Sequence, residues 1–403
     1  MTLQDPPPTD VPVTLPAQVG QMHWLFMPLF VAARLILTTG WRMAYPFLPA
    51  LARGLGVDLA AIALAITIRS GLGLAGPLFG IIGDAWGRRG AMLLGLALFG
   101  GGLLIVLIWP TYLALVAALL LAGAGKLIFD PSMQAYLGDR VPYRQRGLAI
   151  AFSELSWSGA FLLGIPLVGW LMARGGWTAP FPLLAALAFG VAILLWRLLP
   201  SDTPTRAERP AFAANIRSVL TYRPALAGLV LGVCLSSSNE VISIIYGAWM
   251  EDSFGLQVAA LGAASAVLGV AELGGEGLVA VLADRIGKRR AVVVGIVLNA
   301  LATLSLPLIS RSVWSALAAL FVLYITFEFA IVSSIPLMTE VVPRARATMM
   351  AAYVSAHAAG HMLGAPLGAV LFTHGLVANS LASVAISLVG LAALLLAVRT
   401  DHE

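Results

Sequence analysis

Ten charged residues and two histidines lie inside long apolar stretches of this 403-residue sequence. A charge in apolar surroundings is costly, so each of these residues is a candidate for a function. The first half of the sequence contributes Arg34, Arg42, Arg69, Lys126, Asp130 and Glu154. The second half contributes Glu240, Glu272, Glu276, Glu328, His357 and His361. A cationic first half and an acidic, titratable second half suit the binding of a charged ligand together with proton transfer.

Two of the charged pairs are four positions apart, a spacing that places both side chains on one face of a helix. Lys126 and Asp130 have opposite charges, so they are predicted to form an ion pair, with direct substrate contact as the alternative. Glu272 and Glu276 have like charges. Two carboxylates that share a face in a low-dielectric environment favour the binding of a proton. Glu276 also lies near a helix end, where it could simply be hydrated.

The two histidines, His357 and His361, share a helix face at about the same depth as Glu328. Because histidine titrates near neutral pH, this set is predicted to form a proton relay. Histidines that only hydrogen-bond between helices are the alternative. A metal site would need further ligands, so no metal is predicted. The residues predicted to carry protons are Glu240, Glu328, His357, His361, Glu272 and Glu276.

Arg34 and Arg42 lie eight positions apart on one side of the first apolar stretch, and the arginine fork suits carboxylate or phosphate recognition. The alternatives are that these cations pair with acids inside their own half, or that Arg42 extends to the membrane surface. Aromatic side chains would add an apolar contact surface. The residues predicted to contact substrate are Arg34, Arg42, Arg69, Lys126, Asp130, Glu154, Trp157, Tyr246 and Tyr324.

The elements that must position these residues follow from the composition. Hydrophobic residues make up 60% of the chain and charged residues only 11%, whereas soluble domains contain roughly 25% charged residues. This excludes a soluble enzyme, a nucleic-acid-binding protein and a disordered regulator, and it predicts a bilayer-embedded protein without a cofactor. The one cysteine, Cys234, cannot form an intramolecular disulfide.

Twelve apolar stretches, called spans 1 to 12 here, have the length of membrane helices. They predict an all-α integral membrane protein in two six-helix bundles. The spans lie at about 24–51, 58–82, 91–109, 111–138, 147–172, 178–197, 224–250, 256–282, 291–310, 313–341, 347–372 and 375–398. The predicted divisions are a disordered tail (1–23), a first bundle (24–199), a cytoplasmic connector (200–223), a second bundle (224–398) and a C-terminal tail (399–403).

The distribution of basic residues predicts the orientation. Seventeen of the 24 Lys and Arg residues lie in the even-to-odd loops, the connector and the C-terminal tail. Basic residues near membrane helices stay on the cytoplasmic side, so both termini are predicted to be cytoplasmic. The expected location is the inner (plasma) membrane, with the protein as a multi-pass monomer.

An internal repeat relates the two halves at an offset of 200 residues. Residues 83–89 (GDAWGRR) correspond to 283–289 (ADRIGKR), and residues 164–166 (GIP) correspond to 364–366 (GAP). Since six spans separate the copies, the repeat is parallel. Two parallel six-helix bundles are the architecture of one large class of transporters.

Residues 80–89 resemble the signature between helices 2 and 3 of the major facilitator superfamily, with Gly80, Asp84, Gly87, Arg88 and Arg89 at the signature positions. The second copy is degenerate, because Ala280 replaces the leading glycine. Length, span count and central connector agree with that family. The resemblance implies that spans 1, 4, 7 and 10 line a cavity with spans 2, 5, 8 and 11 beside them. Spans 3, 6, 9 and 12, which contain no charge, would face lipid.

Residues 40–49 are similar to a motif of the twelve-helix drug:proton antiporter branch, with Gly40, Pro46 and Pro49 matching. Two departures put this branch in doubt. Span 5 matches its antiporter motif only in part, and span 4 has Lys126 where the family usually has a buried arginine one turn away.

The resemblance also implies a cytoplasmic gate, in which the signature loop and its repeat latch the halves together while the cavity faces outward. Topology anchoring alone is the alternative. The predicted gate residues are Gly80, Asp84, Gly87, Arg88, Arg89, Asp139, Arg144, Arg146, Asp284, Gly287, Lys288, Arg289, Glu340, Arg344 and Arg346.

These observations predict a secondary transporter that works by alternating access. The chain contains no ATP-binding signature, so transport would depend on a gradient. The glycines within residues 71–76 match a dinucleotide fingerprint only in spacing and are predicted to be a packing face. Proton-coupled export of small amphipathic molecules is the leading prediction. A carrier of an anionic or zwitterionic metabolite is the alternative, and a lipid flippase or a non-transporting sensor is the alternative of another class.

Overall fold

The computed structural model describes residues 17–200 and 218–397, and this part of the chain is helical without a β-strand. Short 3-10 turns at Leu72–Ala75 and Pro343–Ala345 and a π-turn at Ala160–Gly164 interrupt the α-helices. In chain order, the helices are α1 Ala17–Arg42, α2 Leu48–Leu55, α3 Leu59–Gly71, α4 Gly76–Trp86, α5 Arg88–Ile108, α6 Tyr112–Arg140, α7 Tyr143–Gly159, α8 Ile165–Gly175, α9 Pro180–Leu198, α10 Arg223–Ser243, α11 Tyr246–Phe254, α12 Val258–Ile286, α13 Lys288–Ile309, α14 Val313–Val341, α15 Arg346–Phe372 and α16 Leu376–Ala397.

Each of the twelve predicted spans coincides with one helix or with two consecutive helices. Spans 1, 2, 5 and 7 are the broken ones, formed by α1–α2, α3–α4, α7–α8 and α10–α11. Within the described ranges, nine helical segments are long and apolar enough to cross a membrane. Helix α2 and the segment 59–75 are bent by 112° relative to each other, and counting this pair as one span would give ten membrane-crossing segments. The architecture is therefore an all-α membrane fold. Helix α1 begins at Ala17, inside the stretch 1–23 that was predicted to be a disordered tail.

The 200-residue repeat reappears in the backbone. Span 1 breaks at residues 43–47 and span 7 breaks at residues 244–245, so both interruptions fall at equivalent depth. The turns before α5 and α13 use Gly87 and Gly287, whose φ angles of 79° and 87° lie in the left-handed region that favours glycine. Gly164 packs on Thr39 of α1, and the equivalent glycine of the second half, Gly364 of α15, likewise packs on α10. Both halves thus repeat one helical arrangement.

The two halves contact each other between α8 and α12 and at the breaks of spans 1 and 7. A Cβ atom built on Gly169 of α8 would lie 3.1 Å from the Cα of Gly262 on α12. A Cβ atom on Gly247 of α11 would lie 2.1 Å from the carbonyl oxygen of Pro46, so the breaks of spans 1 and 7 abut. Such small residues permit close helix approach.

An ion pair joins the halves at this same end, which is called the Arg53 end below. Arg53 Nη1 on α2 lies 2.5 Å from Glu251 Oε1 on α11. The opposite end, called the Arg88 end, has the turns that precede α5 and α13. The excess of basic residues predicts that the Arg88 end is cytoplasmic.

Candidate functional site

Four of the predicted residues form one network inside the first half. Arg34 Nη1 on α1 lies 2.7 Å from Glu154 Oε1 on α7, and Arg34 Nε lies 3.5 Å from Asp130 Oδ1 on α6. Lys126 Nζ lies 2.7 Å from Asp130 Oδ2, as the four-residue spacing predicts, and donates to Thr38 Oγ1 at 3.1 Å. Two buried cations are therefore balanced by two carboxylates. The network holds α1, α6 and α7 together.

Arg42 connects the two halves. Its Nη1 atom donates to both carboxylate oxygens of Glu272 on α12, at 2.8 and 2.7 Å. The exposed fraction of the side chain is 14% for Arg42 and 6% for Glu272, so this is a largely buried ion pair. The guanidinium carbon lies 4.4 Å from the ring centroids of Trp157 and Phe161. Arg42 therefore extends into the interface between the halves and not to the membrane surface.

Glu240 also contacts both halves. Its Oε2 atom accepts a hydrogen bond from Tyr45 at 3.4 Å and lies 2.7 Å from Nδ1 of His361 on α15. Arg69 donates to the Tyr45 hydroxyl at 3.3 Å and to the carbonyl oxygen of Trp41 at 2.6 Å, with its guanidinium 3.9 Å from the Trp41 ring centroid. Arg69 is 1% exposed, so it does not face a ligand in this conformation. Its hydrogen bond to Tyr45 holds the hydroxyl that donates to Glu240.

The relay predicted from His357, His361 and Glu328 is not formed. His357 Nδ1 is hydrogen-bonded to Ser236 Oγ on α10, so both histidines of α15 bond to α10. Within the described residues, no hydrogen bond or ion pair links Glu328 to either histidine. Glu328 lies on α14 and packs against α12, where a Cβ atom on Gly275 would be 3.1 Å from its Cγ. The sequence places Glu328 and the histidines at a similar depth in the membrane, but depth does not determine how α14 is rotated about its axis. In the structure, that rotation directs Glu328 to α12 and away from the histidines.

Three carboxylates of the second half form a group that faces the first half. The side chain of Glu328 packs on Gly275 of α12. Because Gly275 lies between Glu272 and Glu276 in the sequence, Glu328 is beside both of these acids. The charged groups that act electrostatically on Glu328 are Glu272, Glu276, Arg42 and Glu154. Within the part of the chain that the structure describes, Glu276 and Glu328 form no hydrogen bond or ion pair. Glu276 and Glu328, which have no partner among the described residues, thus lie beside Glu272, which is paired with Arg42.

The predicted aromatic contacts are mostly occupied by the protein itself. Tyr324 and Tyr246 are buried, and their hydroxyls are hydrogen-bonded to Ser243 at 2.8 Å and to Ser265 at 3.4 Å. Trp157 is covered by Arg42 and also by Lys126, whose ammonium lies 4.8 Å from the ring centroid.

Two residues that matter to this geometry were missed by the sequence analysis, namely Phe161 and Ser236. A polar run at residues 236–240 (SSSNE) inside an apolar span was a signal for Ser236. Phe161 is one of many aromatic residues in the apolar stretches, and no spacing distinguishes it from a lipid-facing ring.

The predicted gate does not join the halves among the described side chains. Arg88 lies 3.7 Å from Asp139 within the first half, and Lys288 pairs with Glu340 within the second. Arg89 and Arg289 donate to carbonyl oxygens in their own halves, and Arg346 is exposed at the same end. The side chains of Gly80, Asp84, Arg144, Arg146, Asp284 and Arg344 lie outside the described residues.

The chain matches a known family over most of its length. The family model described as Major Facilitator Superfamily matches residues 30–239 and 228–403. An uncharacterized MFS-type transporter, YwfA of Bacillus subtilis (strain 168), is 25% identical over 351 residues, which cover 86% of this chain and 85% of the relative. A probable sugar efflux transporter of Helicobacter acinonychis (strain Sheeba) is 29% identical over 201 residues, or 49% of each chain.

Two solved structures share the fold at low sequence identity. A bacterial homolog of the human lysosomal transporter Spinster, in an inward-facing and unoccupied conformation, superposes with a TM-score of 0.77 at 13% identity, covering 94% of this chain and 97% of that one. The peptide transporter POT in complex with sulfate superposes with a TM-score of 0.76 at 14% identity, covering 92% and 94%. These likenesses concern the helical arrangement.

Proposed function

Because the chain belongs to the major facilitator superfamily, we propose that it is a secondary transporter that exports small amphipathic molecules in exchange for protons. The observation that carries the proposal is the charge balance between the halves. The cations Arg34, Arg42 and Lys126 are each paired with a carboxylate, whereas Glu276 and Glu328 have no partner among the described residues. Carboxylates in this situation suit the carriage of protons.

The same balance argues against the anionic-metabolite alternative. That alternative depends on free cations in the first half. Arg34 is neutralised by acids of α6 and α7, and Lys126 is neutralised by Asp130 of its own helix. Arg69 is covered by Trp41 and Tyr45. An anion would have to displace these partners before it could bind.

Glu240 supports proton coupling from a second position. Its carboxylate accepts a hydrogen bond from Tyr45 of the first half and contacts His361 of the second half. The Tyr45 contact exists only while the halves are together. Chains of carboxylates and histidines inside membrane spans are typical of proton relays in transporters, so this contact suits proton coupling. We place the Arg53 end on the outer face of the inner membrane, with both termini cytoplasmic and the protein acting as a monomer.

The proposal is tested in proteoliposomes with an imposed pH gradient and the cationic dye ethidium as the probe. We expect ethidium to accumulate against its gradient while protons move in the opposite direction, reported by a pH-sensitive dye. Glu328→Gln is expected to reduce the proton movement. Glu251→Gln, which removes an exposed carboxylate at the Arg53 end, is the matched control and should retain both fluxes.

Absence of proton movement with ethidium, with tetraphenylphosphonium and with a neutral amphipathic dye would contradict the proposal. If Glu328→Gln and His361→Ala both leave the pH dependence of transport unchanged, the assignment of the proton-carrying residues is wrong.

A second candidate function is sugar export, which is favoured by the relatives named probable sugar efflux transporters. The aligned parts of those relatives are half of their length or less. Radiolabelled lactose in the same proteoliposomes distinguishes the two candidates, because a sugar carrier would move lactose and leave ethidium where it is.

A further inference from the structure

Arg42 is held in its own half by contacts that do not involve Glu272. The rings of Trp157 on α7 and Phe161 in the π-turn both lie 4.4 Å from its guanidinium carbon. Arg42, Trp157 and Phe161 all belong to the first half, and a guanidinium over aromatic faces is stabilised by cation–π attraction. When the halves separate at the Arg53 end, Arg42 therefore stays with the first half and leaves Glu272.

Glu272 has a different set of neighbours in its own half. Glu276 lies one helical turn further along α12, and Glu328 packs at the same position from α14. Without Arg42, these three carboxylates would share one low-dielectric site of the second half with no cation of that half beside them. Neighbouring like charges in such a site disfavour simultaneous ionisation, so the departure of Arg42 would favour the binding of a proton.

The remaining charged and titratable groups that face this site come from four helices. Glu154 of α7 and Arg34 of α1 act on Glu276 from the first half. Tyr324 of α14 and Tyr246 of α11 are buried hydroxyls whose charge does not change near neutral pH. Since Arg34 and Glu154 are paired with each other at 2.7 Å, Arg42 is the cation whose position decides the balance.

We propose that Arg42 is a movable countercharge that couples the opening of the Arg53 end to the uptake of a proton by Glu272, Glu276 or Glu328. With the end closed, Arg42 neutralises Glu272. On opening, Arg42 leaves, and one carboxylate oxygen of the three binds a proton from water on the Arg53 side. On closure, Arg42 returns and that proton is released, as H₃O⁺, to water on the Arg88 side. This inference deepens the proposed function and rests on its proton coupling.

The sign of the pH effect follows from linkage. The open state binds one proton more than the closed state, so lowering the pH shifts the population towards the open Arg53 end. One linked proton changes the open-to-closed ratio by at most about tenfold per pH unit. High pH keeps all three carboxylates ionised and therefore favours the closed end, where Arg42 is present.

The experiment measures this ratio directly in protein without substrate. Spin labels on Ala60→Cys and Ser253→Cys, in a Cys234→Ala background, place one label on each half at exposed positions of the Arg53 end. Double electron–electron resonance gives the populations of short and long distances in lipid nanodiscs between about pH 5.5 and about pH 8, a window around neutral pH. We expect the long-distance population to increase as the pH falls.

Arg42→Gln is expected to abolish this pH response, because both states then lack the countercharge. Arg42→Lys keeps the charge and should keep the response. Arg53→Gln removes the exposed ion pair of the same end and should also keep it, as the matched control for the loss of a contact between the halves. If Arg42→Gln does not fold, the Glu276→Gln/Glu328→Gln double variant replaces it, and its response should move to lower pH.

A wild-type ratio that is independent of pH, or an Arg42→Gln variant with the full wild-type response, would overturn the proposal. In the latter case, loss of the response in His361→Gln would assign it to Glu240 instead. The result is independent of the transport assay. If no substrate exchanges for protons but opening depends on Arg42 and pH, the proposed function fails and this mechanism stands. If exchange occurs without that dependence, the reverse holds.

Discussion

The four charged residues of the first-half network have a net charge of zero within one buried site. Lys126 and Arg34 are 5% and 4% exposed. Lys126 is paired with Asp130 one turn along α6, and Arg34 is paired with Glu154 of α7. Removing one member of such a set leaves an uncompensated buried charge, which costs more than the pair itself contributes. The network is thus a positioning device for α1, α6 and α7, and its members act on stability as a unit.

A double-mutant cycle on Lys126 and Asp130 tests this coupling. We expect Lys126→Met and Asp130→Asn each to lower the free energy of unfolding by about 3 kcal/mol, because each leaves the remaining charges of the buried network unbalanced. The double variant should lose clearly less than the sum of the single losses. Reversible unfolding in mixed detergent micelles, followed by tryptophan fluorescence, gives these values.

Arg53→Gln and Glu251→Gln are the comparison pair for this cycle, since Arg53 is 58% exposed and its partner 25%. Exposed ion pairs contribute about 0–1 kcal/mol, so this pair should show little coupling. Additive losses at Lys126 and Asp130 would mean that the two charges are not coupled in the folded protein.

The sequence predicted contacts between residues within one helix but not contacts between helices. The Lys126–Asp130 pair follows from a spacing of four. Arg42 and Glu272 are 230 positions apart, and Glu240 and His361 are 121 apart. Such partners depend on the rotation and tilt of each helix, which an apolar stretch does not determine because lipid-facing and buried positions are both apolar.

The interruptions of spans 1 and 7 shape the interface between the halves. In span 1 the chain leaves the helix at residues 43–47, and Pro46 explains this because proline disfavours helical geometry for the residue before it. The break at residues 244–245 in span 7 contains two isoleucines and no proline. Only the 200-residue repeat indicates that second break.

The packing of α15 on α10 sets the position of both histidines, and Gly364 lies in that contact. A Cβ atom on Gly364 would be 2.7 Å from the carbonyl oxygen of Ser237 and from the Cβ of Glu240. Gly364→Ala should therefore displace α15 and lower the free energy of unfolding by about 1–3 kcal/mol through overpacking. Unfolding in mixed micelles measures the loss.

Gly190→Ala on α9 is the matched control for Gly364→Ala, because no heavy atom lies within 4 Å of the added methyl group. Alanine is the better helix former by about 0.8–1.0 kcal/mol, so this control should be neutral or stabilising. Equal losses at both positions would show that the α10–α15 contact is looser than the structure indicates.

The whole-molecule arrangement was more predictable than its conformation. Span count, the parallel repeat and the family resemblance all follow from motifs and hydrophobic periodicity, and the helices and the family match confirm the fold. Which end is closed could not be predicted. A transporter that alternates between two states uses one sequence for both, and the states differ by only a few kcal/mol. The gate residues were assigned to a state in which the Arg88 end is closed, and this assignment stays a prediction. The structure shows contacts between the halves at the Arg53 end.

Closure of the Arg53 end leads to a prediction about the complete transport cycle. Arg53 on α2 and Glu251 on α11 face each other across the halves, so cysteines at both positions in a Cys234→Ala background can be joined by a flexible bifunctional thiol reagent. Because export requires this end to open, the crosslinked protein should lose ethidium transport. Reagents with a reducible disulfide in the linker should allow recovery on reduction. The two single-cysteine variants, treated identically, should transport throughout. Full transport by crosslinked protein would mean that the halves do not separate at this end, and alternating access by that movement would be wrong.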